Sequence, residues 1–115
     1  MFRITGNGII LNYPAGKEVF LVNQNVEIKW NSINILNVKI EFSTNAGISW
    51  NTIISNLPAE EYSYMWTVPN TPSTEGIIRI TDVDNSSITD ENMYYFRIKG
   101  NVYPPPSTWY FTDET

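Results

Sequence analysis

The 115-residue chain contains neither cysteine nor histidine. Without cysteine it has no disulfide framework, no thiolate nucleophile and no cysteine-ligated zinc site. Without histidine it lacks the commonest general base and the commonest transition-metal ligand, and with them most hydrolase active sites. No nucleophile or oxyanion donor can be paired with its carboxylates from the sequence. We therefore predict a protein that is not an enzyme and binds no cofactor.

Positive charge and long apolar runs are also scarce. The net charge is -5, and the seven lysines and arginines are scattered singly, so nucleic acid is not an expected partner. No apolar run approaches the roughly 20 residues that cross a bilayer, and we expect no membrane insertion. The segment from Met1 to Gly6 lacks the pattern of a signal peptide. We expect either an export signal outside this sequence or a protein that does not use that route.

What the chain does contain is a series of short strands separated by turns. Val26, Ile28 and Trp30 alternate with Glu27 and Lys29, a period of two that sends one face of a strand to a core. Strands of this kind are predicted at 8–11, 18–22, 26–30, 38–43, 50–54, 62–68, 77–83 and 94–99. No helical periodicity is long enough for a helix. The pattern predicts an all-β antiparallel sandwich of about seven or eight strands.

The alternation also predicts the core and the domain limits. A composition that is 42% hydrophobic suffices for one core without disulfides, and we assign residues 1–100 to the sandwich and residues 101–115 to a proline-rich, aromatic tail. The predicted core residues are Val26, Ile28, Trp30, Val38, Ile40, Phe42, Trp50, Tyr64, Trp66, Ile78, Ile80, Phe96 and Ile98.

A hairpin is predicted around residues 37–54. The first strand ends at Thr44, and Asn45 and Gly47 are residues that tolerate the positive φ of a tight turn. We expect Gly47 at positive φ, Asn45 in local backbone hydrogen bonds, and a second strand that opens with Ser49 and Trp50. The segment Ser43-x-Asn45-x-Gly47-x-Ser49-Trp50 resembles the Asp-box, with asparagine in place of the usual aspartate. That resemblance implies a turn that stabilises a fold and performs no chemistry.

A wider resemblance rests on the order of the motifs between residues 10 and 99. These are Tyr13-Pro14-x-Gly16-x-Glu18, Val26-x-Ile28-x-Trp30, Asn37-Val38-Lys39-Ile40-Glu41-Phe42-Ser43, Tyr64-x-Trp66-x-Val68-Pro69-Asn70-Thr71-Pro72-Ser73, Ile78-Arg79-Ile80-x-Asp82 and Phe96-x-Ile98. The order resembles an immunoglobulin-like (Kre9/KNH-like) module of the kind repeated in large secreted surface proteins of Bacteroidota. Ala15-Gly16 replaces the usual double glycine, and Asp90-Glu91-Asn92 replaces the usual Asp-x-Ser-Asp. The resemblance implies an immunoglobulin-like sandwich.

Three tryptophans could form a platform for sugar rings. Trp30, Trp50 and Trp66 each occupy the inward side of a predicted strand, however, and an indole buries roughly 150–250 Å². Core packing is therefore the prediction for all three. Tyr62 is the aromatic residue expected to reach the surface at a strand end, and it is the candidate contact if the domain binds a glycan.

Acidic and amide side chains gather before the last predicted strand, at Asp82, Asp84, Asn85, Asp90, Glu91 and Asn92. Their oxygens could bind Ca²⁺, but the segment after Asp84 lacks the glycine and the glutamate that an EF-hand loop requires. A solvated acidic loop is the prediction for residues 82–92, and a weak calcium site is the open alternative.

The tail carries the strongest candidate for partner binding. Pro104, Pro105 and Pro106 form a stiff, extended spacer between Tyr103 and an apolar triplet. The predicted partner-binding residues are Tyr103, Trp109, Tyr110 and Phe111. Three consecutive exposed aromatic residues are unfavourable in water. The tail is expected to dock on a neighbour, for example by adding a strand to a sheet edge, or else to fold back on its own sandwich.

Together these observations predict a non-enzymatic structural or adhesive interaction module whose partners are protein neighbours or copies of itself. Two settings fit: one module of a long secreted or cell-surface protein, or a small subunit of an extracellular or virion assembly. The alternative from another class is a carbohydrate-binding accessory domain of a secreted hydrolase.

Overall fold

A computed structural model describes residues 6–100. Within this range the chain forms nine strands and one 3₁₀ helix of three residues, Ala59–Glu61. The strands are β1 (Gly8–Tyr13), β2 (Val19–Leu21), β3 (Asn25–Ile33), β4 (Asn37–Ser43), β5 (Asn51–Pro58), β6 (Ser63–Thr67), β7 (Ser73–Asp82), β8 (Asn85–Glu91) and β9 (Phe96–Lys99). Residues 6–100 include no helix that is long and apolar enough to span a membrane.

The strands form two sheets that pack face to face. The first sheet has the order β1-β3-β6, and the second has the order β2-β9-β7-β4-β5, with β8 also paired to β7. All pairs are antiparallel except β2 with β9, which run parallel. The prediction of an all-β, immunoglobulin-like sandwich is confirmed. The parallel pair differs from the purely antiparallel sandwich that was expected, and the intervening chain supplies the long connection that such a pair needs.

The strand count exceeds the expected seven or eight because β8 occupies the segment that was predicted as an acidic loop. β8 pairs with residues 79–82 of β7, and β9 pairs with residues 73–76 of the same strand. Both lie on the side of β7 opposite to β4. β8 and β9 therefore cover successive parts of one edge of β7. The loop prediction was wrong because β8 carries only one aliphatic residue, Ile88, and its outward positions are polar.

The core lies between the two sheets, and the alternation predicted most of it correctly. Its buried hydrophobic residues are Ile9, Leu11, Phe20, Val22, Val26, Ile28, Trp30, Val38, Ile40, Phe42, Ala59, Trp66, Val68, Ile78, Ile80, Phe96 and Ile98. Tyr64 is half-buried and packs against this cluster. The indole Nε1 of Trp30 donates a hydrogen bond to the carbonyl oxygen of Ala59 at 3.0 Å, which satisfies the polar group of a buried ring.

Trp50 is the predicted core residue that the structure places elsewhere. It is only half-buried, and β5 begins one residue later, at Asn51, so Ser49 and Trp50 belong to the turn. Two register shifts separate β5 from a regular pairing with β4. The period-two count from β4 therefore does not carry across the hairpin. The same irregular strand continues to Pro58, beyond the end predicted at residue 54.

Candidate interaction surfaces

The hairpin turn between β4 and β5 satisfies its own polar groups. The Ser43 hydroxyl accepts hydrogen bonds from the backbone N–H groups of Asn45 (3.2 Å) and Gly47 (2.9 Å) and donates to Asn45 Oδ1 (2.8 Å). Asn45 Oδ1 also accepts from the Ser49 N–H at 3.0 Å. Gly47 has φ +86°, as predicted. Because these side chains are engaged within the turn, their arrangement stabilises the hairpin.

Trp50 contributes to a polar cluster on the outer face of the second sheet. The Arg79 guanidinium lies 3.7 Å from the centre of the Trp50 ring and donates two hydrogen bonds to Glu41 Oε1, at 2.9 and 3.1 Å. Lys39 Nζ lies 3.7 Å from Glu41 Oε2. Glu41 is buried, and its charge is compensated by both cations. The stacking of a guanidinium on an indole is worth about 0.5–2 kcal/mol, so the cluster fastens the turn to β7.

Tyr62, the predicted glycan contact, follows the 3₁₀ helix in a left-handed conformation with φ 59°. Its backbone N–H donates to the Ala59 carbonyl, and its own carbonyl accepts from the Trp30 N–H at 3.0 Å. The side chain is 45% exposed, which agrees with the expected surface position. Trp30 and Trp66 are in the core and Trp50 is covered on one side by Arg79, so the three tryptophans do not form a sugar platform.

The acidic segment is drawn into backbone hydrogen bonds. Asp82 Oδ1 accepts from the Asp84 N–H at 3.0 Å, and Asp90 Oδ2 accepts from the N–H of Leu11, in the other sheet, at 2.7 Å. Glu91 faces the opposite side of β8 from Asp90, beside Arg79. Within residues 6–100 no group of three acidic side chains converges on a point that could hold a metal ion.

A cleft of about 520 Å³ lies where β1 meets β8 and the loop after β1. Ile10, Met93 and Tyr94 are exposed at its margin, with 81% of Met93 accessible to solvent. Lys17 Nζ lies 4.5 Å from the centre of the Tyr94 ring. Gly16 has φ +124°, and a β-carbon there would lie 2.4 Å from the Tyr94 carbonyl oxygen. The close approach of the two backbones therefore requires glycine at this position.

A second cleft, also about 520 Å³, lies beside β2 and β9 and is lined by Val19, Pro72, Ser73, Thr74, Arg97, Ile98, Lys99 and Gly100. The parallel register places Val19 beside Arg97 and Leu21 beside Lys99. Their chain neighbours Phe20 and Ile98 are buried, so these four side chains project outward together. Val19 and Leu21 are 52% and 53% exposed. We call Val19, Leu21, Arg97 and Lys99 the apolar–basic face.

The electrostatics of the apolar–basic face differ from those of the cluster around Glu41. Ion pairs within residues 6–100 join Lys29 to Glu27, and join Lys39 and Arg79 to Glu41. Among these residues Arg97 and Lys99 therefore have no carboxylate within ion-pair distance, although the chain carries a net charge of -5. Two cations that form no ion pair with a described residue thus lie beside two exposed aliphatic side chains.

Tyr13 is the last residue of β1 and lies against β2 of the second sheet. Its ring contacts Phe20 edge-on, with centroids 6.2 Å apart. Burial raises the pKa of the Tyr13 phenol above its usual value, and the nearby Glu18 carboxylate raises it further. Tyr13 therefore adds no charge near neutral pH. Glu18 itself accepts hydrogen bonds from the N–H groups of Ala15 and Gly16, both at 2.8 Å.

The predicted partner-binding residues Tyr103, Trp109, Tyr110 and Phe111 lie outside the described residues. Comparison of the chain with protein-family models, with curated proteins and with solved structures finds no match. The resemblance to a surface-protein module and to an Asp-box therefore stays a prediction.

Proposed function

We propose that this chain is a non-enzymatic, immunoglobulin-like structural or adhesive interaction module that acts through protein–protein contacts in a cell-surface, extracellular or virion assembly. The observation that carries the proposal is the apolar–basic face. Its two aliphatic side chains are half exposed, and its two cations form no ion pair with a described residue. Clustered apolar side chains edged by charge are typical of surfaces that other proteins cover.

The chemistry of the face favours a protein over other partners. Arg97 and Lys99 are too few to neutralise the phosphates of a nucleic acid, and Val19 and Leu21 bring no aromatic ring for a sugar. Three carboxylates of the second sheet are engaged within the fold, since Asp82 and Asp90 accept backbone hydrogen bonds and Glu41 is paired with Arg79. These features support a binding role without catalysis.

Self-association of the full chain tests the proposal. We expect wild-type protein to form oligomers whose proportion rises with concentration in sedimentation velocity, because copies of the chain are among the proposed partners. Val19→Ser with Leu21→Ser should weaken this association at least tenfold. Met65→Ser is the matched control, since Met65 is 58% exposed on β6 of the other sheet. A protein that stays monomeric at every concentration, or a control that weakens association equally, would contradict the assignment of this face.

The alternative function, a carbohydrate-binding accessory domain of a secreted hydrolase, is favoured by the exposure of the Tyr62 ring. A single tyrosine can stack on a sugar, although Trp30 and Trp66 are in the core and Trp50 is covered on one side by Arg79. Glycan-array binding that is lost in Tyr62→Ala and retained in Val19→Ser with Leu21→Ser would support this alternative. The reverse pattern would support the protein-binding module.

A further inference from the structure

We infer that the apolar–basic face binds residues 107–115 of a second copy of this chain, so that copies join head to tail. The inference rests on the proposed function, because it names the partner of the same face. The occupant is a segment of known sequence, Ser107-Thr108-Trp109-Tyr110-Phe111-Thr112-Asp113-Glu114-Thr115, that lies beyond the described residues.

The chemistry of this segment complements the face. Its three aromatic residues are followed closely by Asp113 and Glu114, and residues 101–115 contain no lysine or arginine. The face offers the reverse combination, aliphatic Val19 and Leu21 beside two cations without an acidic partner among the described residues. Apolar contact and charge attraction are thus available in the same place, which is the combination that fixes both affinity and orientation.

The spacing of the segment also suits a sheet surface. In an extended chain, side chains two residues apart lie on one side, so Trp109, Phe111 and Asp113 would form one row. The face is arranged in the same way, with Val19 and Leu21 two residues apart on β2 beside Arg97 and Lys99 on β9. An extended segment can therefore place two aromatic rings against the aliphatic side chains and a carboxylate near a guanidinium or ammonium group.

The position of the tail in the chain favours a second copy over the same copy. Gly100, the last described residue, lines the cleft beside the face, so the tail starts where its binding surface begins. Three consecutive prolines favour an extended backbone of about 3.1 Å per residue. A stiff spacer of this kind disfavours the tight reversal that would return Trp109 to the face beside Gly100, and nine extended residues span up to about 30 Å. A neighbouring copy is reached without reversing the chain.

A tail and a face are different surfaces, so the contact between copies is heterologous. Each copy then offers one free tail and one free face, and repeated association gives rings or linear chains. This geometry makes a distinctive prediction. A copy with an inactive tail and a copy with an inactive face can form a single junction, and growth stops there.

The experiment uses two full-length variants. The first, Trp109→Ser with Tyr110→Ser and Phe111→Ser, has an intact face. The second, Arg97→Glu with Lys99→Glu, has an intact tail. We expect each alone to be monomeric in sedimentation velocity and native mass spectrometry, and an equimolar mixture to form a one-to-one dimer and nothing larger. Lys29→Glu, a charge reversal on the other sheet, is the matched control and should associate like wild type.

A charge exchange guards against a variant that simply fails to fold. Adding Asp113→Lys and Glu114→Lys to the Arg97→Glu, Lys99→Glu protein should restore association to within about threefold of wild type, since opposite charges again face each other. Failure of both the mixture and the charge exchange would overturn the inference. A full chain that is monomeric, with a melting temperature lowered by the tail substitutions, would show fold-back and overturn it as well.

Failure of the inference can be told apart from failure of the proposed function. If Val19→Ser with Leu21→Ser weakens association while the tail substitutions leave it unchanged, the face binds a different part of the neighbour and only the inference is wrong. If neither set of substitutions changes association, both are wrong.

Discussion

The buried amide of Asn92 makes three hydrogen bonds to the backbone at the point where β7 changes partner from β8 to β9. Its Oδ1 accepts from the Ile78 N–H at 2.6 Å, and its Nδ2 donates to the carbonyl oxygens of Gly76 (3.2 Å) and Tyr94 (2.6 Å). Asn92 therefore satisfies backbone groups of β7 at Gly76 and Ile78, in the gap between the part of β7 that pairs with β9 and the part that pairs with β8. Nothing in the sequence distinguished Asn92 from its acidic neighbours, because its role depends on this local gap in the sheet.

We expect Asn92→Ala to lower the free energy of unfolding by about 2–4 kcal/mol, because it leaves buried backbone groups without partners, each at a cost of about 1–3 kcal/mol. Urea denaturation of the two proteins measures the difference. Asn70→Ala, at an exposed loop position, is the control and should change stability by less than about 0.5 kcal/mol. Equal effects from both substitutions would contradict the bridging role.

Gly47→Val should destabilise the hairpin through backbone strain. Gly47 has φ +86°, a conformation that costs a non-glycine residue roughly 1–2 kcal/mol, and its β-carbon would lie 3.4 Å from the Trp50 ring. The matched control is Gly8→Val, where a β-carbon meets no atom within 4 Å. Thermal and urea unfolding should separate the two variants. An unchanged stability with a loss of self-association would instead indicate a binding role for the turn.

At the scale of elements, whether a strand could be predicted from the sequence depends on how strongly it is amphipathic. β3 and β4 alternate clearly, so their positions and their buried faces could be predicted from residues such as Ile28 and Ile40. β8 lies at a sheet edge with a single half-buried aliphatic residue, Ile88, and its polar sequence is equally typical of a loop. The position of Trp50 could not be predicted either, because irregular pairing between β4 and β5 broke the period of two.

Only part of the apolar–basic face could be predicted from the sequence. The outward positions of Arg97 and Lys99 follow from their alternation with Phe96 and Ile98. Their pairing with β2 does not, because a parallel pair joins strands from opposite ends of the described chain and depends on the completed fold. The aliphatic part of the apolar–basic face therefore became visible only in three dimensions.

The contact between β1 and β8 gives a prediction at this scale. Asp90 joins the two sheets by accepting the Leu11 N–H at 2.7 Å, and a hydrogen bond to a charged group contributes about 1.5–3 kcal/mol. Asp90→Ala should lower stability by about that amount and should increase the hydrogen-exchange rate of the Leu11 amide. Asp84→Ala, at an exposed position of the same segment, is the control. An unchanged Leu11 exchange rate would contradict the role of Asp90 in joining the two sheets.

At the scale of the whole molecule, cations are unevenly distributed. Lys39, Arg79, Arg97 and Lys99 lie on the outer side of the second sheet, and Glu41 compensates the first two. The remaining pair, Arg97 and Lys99, forms the basic part of the face that we propose to bind an acidic segment. Association through that face should weaken as salt increases, because exposed charges are screened over about 10 Å at 0.1 M ionic strength.

Deletion of residues 104–115 should leave the melting temperature nearly unchanged while it weakens self-association, because the tail is proposed to contact a neighbour and not its own core. Melting curves run beside sedimentation of the full-length and truncated proteins provide the measurement. A tail folded back on its own sandwich predicts the opposite. Truncation would then lower the melting temperature by several degrees, as expected for about 1 kcal/mol in a domain of this size, with no change in particle mass.

The parallel pairing of β2 with β9 also predicts how the domain responds to mechanical force. The Arg97 N–H donates to the Glu18 carbonyl at 2.8 Å, and the Val22 N–H donates to the Lys99 carbonyl at 3.2 Å. Backbone hydrogen bonds therefore join the two strands along their common direction. Tension that pulls β2 towards its start and β9 towards its end slides one strand along the other. These hydrogen bonds are then loaded in shear at the same time, so they do not open one after another. A subunit tethered at both sides of this pair would resist extension until all of these bonds break at once.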